Sequence, residues 1–141
     1  MERDFFTLSD FLTAAREVGG DAHHFKAIQL PVSIVRISPL LESQNETGPL
    51  WDALQENIEV HVSSPLYGGD LVKAISQELA DFIQKGLTPA QAALLFARSH
   101  PAVKRLLTSP SNNNQLTDTL AIQQYTDLSS EQIRKICAAI G

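Results

Sequence analysis

The stretch Leu87 to Leu107, LTPAQAALLFARSHPAVKRLL, constrains the fold more than any other part of the chain. Thr88 is a natural helix N-cap, and Pro89 suits the first helical position, where its missing N–H leaves no bond unmade. Ala92, Ala93, Leu95 and Phe96 recur at helical spacing, and the small pair Ala92 and Ala93 lets a second helix cross closely. Ser99 then reads as another cap, with Pro101 near the first turn and Val103, Leu106 and Leu107 as an inward stripe. The sequence therefore predicts two short helices across a tight turn. The second runs 99–107 and exposes His100, Ala102, Lys104 and Arg105.

Charge supports a special role for this region. The chain of 141 residues carries a formal charge of −5, which by itself argues against nucleic acid. From Phe82 to Thr117, however, there is no Asp or Glu, while Lys85, Arg98, Lys104 and Arg105 are present. That window carries four positive charges, and the rest of the chain carries −9. Screening over roughly 10 Å lets one positive face coexist with an acidic remainder.

Other features exclude several classes. With 43% hydrophobic and 19% charged residues, the chain reads as globular rather than disordered. No apolar run approaches the roughly 20 residues of a membrane helix, and the start MERDFFTLSD has acids where a secretory signal carries bases. The single Cys137 permits no internal disulfide. A cytoplasmic protein with no membrane association is expected. Asp21, His23, His24 and His61 do not make a zinc-ligand spacing, so neither metal nor cofactor is expected. Catalysis is not expected either: Cys137 has no base nearby, and Gly68-Gly69-Asp70 lacks the lysine of a phosphate-binding loop.

Taken in order, residues 1–19 suggest a helix capped by Thr7 or Ser9, with Phe11, Ala15 and Val18 inward and Gly19-Gly20 as its stop. Ala27–Ile37 is a strand candidate that Pro31 either places at a sheet edge or splits into two pieces. Pro49–Gln55 reads as a short helix burying Trp51 and Leu54, and Ile58–Val62 alternates as a second strand. Asp70–Lys85 reads as one amphipathic helix ended by Gly86. Leu116–Tyr125 and a helix opened by the Ser129/Gln132 capping box complete the chain. The expected fold class is mainly α, of α+β type. Residues 1–66 would form a small α+β element for dimerisation or partner binding, and 67–141 a helical domain.

The 87–107 run resembles the bacterial helix-turn-helix pattern LTxxEAAxxLGVSxxTVxRLL. Leu87, Thr88, Ala92, Ala93, Ser99, Val103, Arg105, Leu106 and Leu107 match it without a gap. Ala97 replaces its turn glycine and Arg98 its buried aliphatic residue. With a preceding amphipathic helix, the segment looks most like the DNA-binding part of ParB/KorB-type partition proteins and plasmid repressors. The resemblance implies a homodimer on double-stranded DNA, acting in transcription regulation or plasmid partition. The helix 99–107 would read the major groove. Thr88, Gln91, Arg98, Ser99, His100, Ala102, Lys104 and Arg105 would form the DNA-binding set, with Asn112–Asn114 as further phosphate contacts. The alternative is a helical interaction factor that binds protein and not DNA, with the N-terminal part available to a protein partner.

Overall fold

A computed structural model describes residues 6–141. The acidic start, which bore on a secretory signal, lies largely outside them in Met1–Phe5.

Three parallel strands, β1 (Ala27–Pro31), β2 (Glu59–Ser63) and β3 (Val103–Leu106), lie side by side in that order. Parallel neighbours need long crossovers, and here helices supply them. Between β1 and β2 run α2 (Ser38–Gln44) and α3 (Gly48–Gln55); between β2 and β3 run α4 (Asp70–Ala74), α5 (Gln77–Ile83) and α6 (Pro89–Arg98). The helix α1 (Leu8–Gly19) precedes the sheet, and α7 (Asn113–Ala121) and α8 (Ser130–Ile140) follow it.

Register sorts the strand side chains onto two faces. Ile28, Val60 and Val103 form one row, and Leu30, Val62 and Leu106 the next; both pack into the helical layer. Gln29, His61 and Arg105 form the row between them, on the opposite face, with Glu59 next to His61. A bulge opposite Val60 and His61 absorbs Lys104, so Val103 and Leu106 keep the covered face. The core draws on the whole described chain: Leu12, Leu50, Val60, Val62, Phe96 and Ile133 all belong to it. The sheet likewise joins strands from 1–66 to one from 67–141.

This architecture corrects the mainly α reading with an appended helix-turn-helix domain. Residues 99–107 do not form a helix. His100 N donates to Arg98 O (2.8 Å) and Val103 N to His100 O (2.9 Å), making a turn that leads into β3. Pro101 removes a helical donor and disfavours the helical conformation at His100. The ladder then captures the chain: Val60 N donates to Ala102 O and Leu107 N to Val62 O, each at 2.9 Å. Nor does α6 have the exposed side of a DNA-binding helix. Every residue from Gln91 to Ala97 is buried, as expected of a helix enclosed all round.

Elsewhere the differences are local. The Asp70–Lys85 segment breaks at Ile75, whose ψ of 120° is extended, because Ser76 caps a new helix by accepting from Leu79 N. Thr7, not Ser9, caps α1, and Leu8 and Leu12 are its buried residues while Phe11 and Val18 are exposed. Leu50 and Ala53, not Trp51 and Leu54, are the buried side of α3. The helix α2 forms between the expected strand and the expected helix at Pro49–Gln55, with Pro39 in its first turn. The capping box of Ser129 and Gln132 opens α8 as the sequence suggests.

Candidate functional site

A broad concavity lies at the carboxyl ends of β2 and β3. Open α/β folds place ligands there, because the loops leaving the strands converge on one rim. It encloses about 630 Å³ between the loop after β2, the loop Leu107–Ser111 after β3, and the flank of α7. That volume falls within the roughly 300–1,000 Å³ of small-molecule pockets.

The loop after β2 has unusual backbone geometry. Ser64 (φ 52°), Tyr67 (φ 51°), Gly68 (φ 71°) and Gly69 (φ 95°) all sit in the left-handed region. For Ser64 and Tyr67 this carries strain of order 1 kcal/mol or more, of the kind that gathers at functional loops. The turn is held by Tyr67 N donating to Ser64 O (3.0 Å) and Gly69 N to Leu66 O (2.9 Å). A side chain added at Gly68 or Gly69 would meet nothing within 4 Å, so the backbone there is open to a ligand.

Opposite stands the start of α7. Asn112 Oδ1 accepts from Gln115 N (3.0 Å), and Gln115 Oε1 accepts from Ser111 N (2.7 Å). The N–H groups of Asn113 and Asn114 lie in the first turn, where a helix has no internal acceptor for them. Thr108, Ser109 and Ser111 add hydroxyls to this rim, Lys73 a cation and Asp118 an acid. Asp118 is engaged by α6, since its Oδ2 accepts from Thr88 Oγ1 (2.9 Å).

The residues predicted to contact DNA are dispersed. Thr88 and Gln91 form the capping box of α6, and Gln91 Nε2 donates to Asp118 O (3.3 Å). Arg98 turns towards the chain after α7. Its Nε donates to Asp127 Oδ1 (2.7 Å), Nη1 to Ile122 O (2.9 Å) and Nη2 to Tyr125 O (2.7 Å). Ser99 is buried, donating to Leu95 O (2.6 Å) and accepting from Leu128 N (2.9 Å). His100 Nε2 meets Ser43 Oγ at 2.7 Å, and burial lowers its pKa. Ala102 is buried. Lys104 Nζ donates to Pro101 O (2.9 Å), and Arg105 lies on the open sheet face. The structure pairs Thr88 with Gln91, sets Ser99 and His100 along one smaller cleft, and gathers no common surface from the others.

Two other groups considered from sequence are also apart. His23 Nδ1 accepts from Phe25 N, and His61 Nε2 pairs with Glu59 Oε2 at 3.2 Å. Among the described residues no three His, Cys, Asp or Glu side chains form a metal-binding group. Burial pushes the Cys137 thiol up, which keeps it in the weakly reactive protonated form. Among the described residues no helix is long and apolar enough to cross a membrane.

No family model and no curated protein matches the sequence. Among solved structures, the fold is similar to a thermostable aldo-keto reductase crystallised with the inhibitor epalrestat. The TM-score is 0.66, over 96% of this chain and 46% of that one, at 16% identity. The chain spans about half the length of that reductase.

This likeness overturns the resemblance to ParB/KorB-type DNA binders, and with it the reading as a transcription or plasmid-partition factor. The matching run in 87–107 is a buried helix followed by a strand of an α/β sheet. The expectation that the chain is not an enzyme also loses its support. What the sequence missed was the cleft itself. Its two loops were visible, as a Pro/Gly turn at 65–69 and a polar acid-free loop at 108–115, but nothing local said that they meet.

Proposed function

We propose that this chain forms a cosubstrate-binding part of a reductase-type α/β barrel, and that its cleft holds the phosphate portion of a nicotinamide dinucleotide. The observation carrying this reading is the cleft at the carboxyl ends of β2 and β3, in a fold similar to that of an aldo-keto reductase. The lining residues fit such a group. Gly68 and Gly69 leave open backbone, Gln115 and Thr119 bring polar side chains from α7, and Lys73 supplies the cation. Ser109 and Ser111 would add hydroxyl donors, and the apolar side chains of Leu66, Val72 and Leu107 would shield them from water.

When bound, the dinucleotide would supply a hydride for carbonyl reduction. The residues of this chain would bind and orient it.

Titration with NADPH and with inorganic pyrophosphate, followed by amide NMR shifts, tests the reading. Saturable shifts at Gly68, Gly69 and Ser109–Gln115, weakened about tenfold by Lys73→Met, are expected. Absence of shifts with both ligands at millimolar concentration would refute it.

A further inference from the structure

A second cleft of about 240 Å³ lies beside the amino end of β3, and none of its lining residues lines the first. It is bounded by α2, α3, the turn before β3 and α8. Leu40, Leu54 and Ile133 with the indole of Trp51 make its apolar wall. Its volume is below that of drug-sized pockets, so an occupant must be compact.

Three of its polar side chains, Ser43, Gln44 and Arg134, have a donor to give. His100 Nδ1 accepts from Ala102 N (3.2 Å), so in the neutral imidazole the proton sits on Nε2 and points at Ser43 Oγ, 2.7 Å away. Ser43 thus accepts from His100 and has its own hydrogen left to give. The same geometry rules out a Ser–His nucleophile, because a base would have to accept the serine proton. Gln44 lines the cleft, and its Nε2 is buried without a partner, an unfavourable state for a donor. Arg134 is exposed at the rim and takes part in none of the ion pairs among the described residues. Glu46, the acid at the rim, is held at φ 59°, a strained conformation for a non-glycine residue.

We infer that this cleft binds a compact monocarboxylate with an apolar body. Ser43, Gln44 and Arg134 each have a donor without an acceptor, and a carboxylate would bring acceptors to this set. The apolar body would lie against Trp51 and Leu54. Glu46 then distinguishes two sources of such a ligand: beside the carboxylate it favours an ammonium, as in a free aliphatic amino acid, over a plain fatty acid of the same shape.

Trp51 is the only tryptophan, so its fluorescence and indole N–H resonance report occupancy. The protein would be titrated with L-leucine, 4-methylpentanoate and 4-methylpentan-1-ol. Saturable changes at Trp51 with either acid, and none with the alcohol, are expected. L-Leucine should bind more tightly, with the order reversed in Glu46→Gln. Arg134→Gln, a change on an exposed helix face, should weaken both acids about tenfold, the loss of one charge-assisted contact. The inference is overturned by silence at Trp51 up to about 10 mM acid, by equal response to the alcohol, or by an unchanged affinity in Arg134→Gln. Because NADPH binding is read at Gly68–Gly69 and Ser109–Gln115, failure of either site is seen separately.

Discussion

Replacing Arg98 by methionine is the sharpest test of how the helical layer is closed. The guanidinium reaches from the end of α6 to three oxygens: Asp127 Oδ1, Ile122 O and Tyr125 O. Its side chain is 22% exposed, whereas that of Asp127 is 59% exposed, so the carboxylate contact is open to water while the carbonyl contacts are partly buried. An exposed ion pair contributes about 0.2–1 kcal/mol. Each bond from a charged donor to a shielded carbonyl contributes about 1.5 kcal/mol, partly recovered when water reaches the freed oxygen. Arg98→Met keeps the aliphatic stem and should therefore destabilise by about 2–3 kcal/mol. For a domain of this size that lowers the melting temperature by roughly 6–12 °C. Urea denaturation of wild type, Arg98→Met and Asp127→Ala gives the partition directly. Asp127→Ala should cost less than about 1 kcal/mol. If it costs as much as Arg98→Met, or if Arg98→Met lies within about 0.5 kcal/mol of wild type, the carbonyl clamp is not what Arg98 provides.

Three further outcomes are expected. Ser99→Ala should cost about 1–3 kcal/mol in chemical denaturation, because it leaves the buried Leu128 N–H without its acceptor. Phe96→Ala, emptying a fully buried position in α6, should cost about 3–5 kcal/mol. The lowered pKa of His100 makes stability pH-dependent. As pH falls below about 6.5 the unfolded chain gains a proton that the folded imidazole refuses, so stability drops until the folded pKa is reached. In His100→Gln this slope should flatten when melting temperature is followed from pH 7.5 to 5.

Elements fixed by local chemistry could be read from the sequence. Thr7, Thr88 and Ser129 cap their helices, each with a partner three residues on, and Gly20 takes the positive φ that ends α1; the helix before Gly86 stops earlier, at Ile83, with Gln84 extended, and Gly86 takes its positive φ in the loop beyond. The alternation in Ile58–Val62 is that of a strand covered on one face. What failed was decided by distant partners. Val103–Leu106 can satisfy either a helical stripe or a strand with one bulge; only the free edge of β2, some forty residues earlier, chooses between them. The Ile75 break was hidden for a related reason. Leu71, Ile75 and Ile83 are buried in the two short helices and the kink between them much as one long helix would bury them. The cleft is a pairing of two loops, so its position depends on strand order, and no spacing within either loop encodes that order.

The absence of acids from Phe82 to Thr117 has a structural cause that a charge count cannot reveal. Seven consecutive residues of α6 are buried, and an unpaired carboxylate there would face a large desolvation cost. The strand β3 must place Val103 and Leu106 in the same core. The four cations are left to positions with other duties or with none in common. Lys85 is exposed at the end of the α5 segment, Arg98 clamps the chain after α7, Lys104 occupies the bulge and bonds Pro101 O, and Arg105 stands beside His61 on the open sheet face. A run of positive charge in sequence becomes a positive surface only when its residues share a face. Here a buried helix, a turn and a bulged strand send them in different directions, so burial explains the missing acids without any anionic partner for the window as a whole.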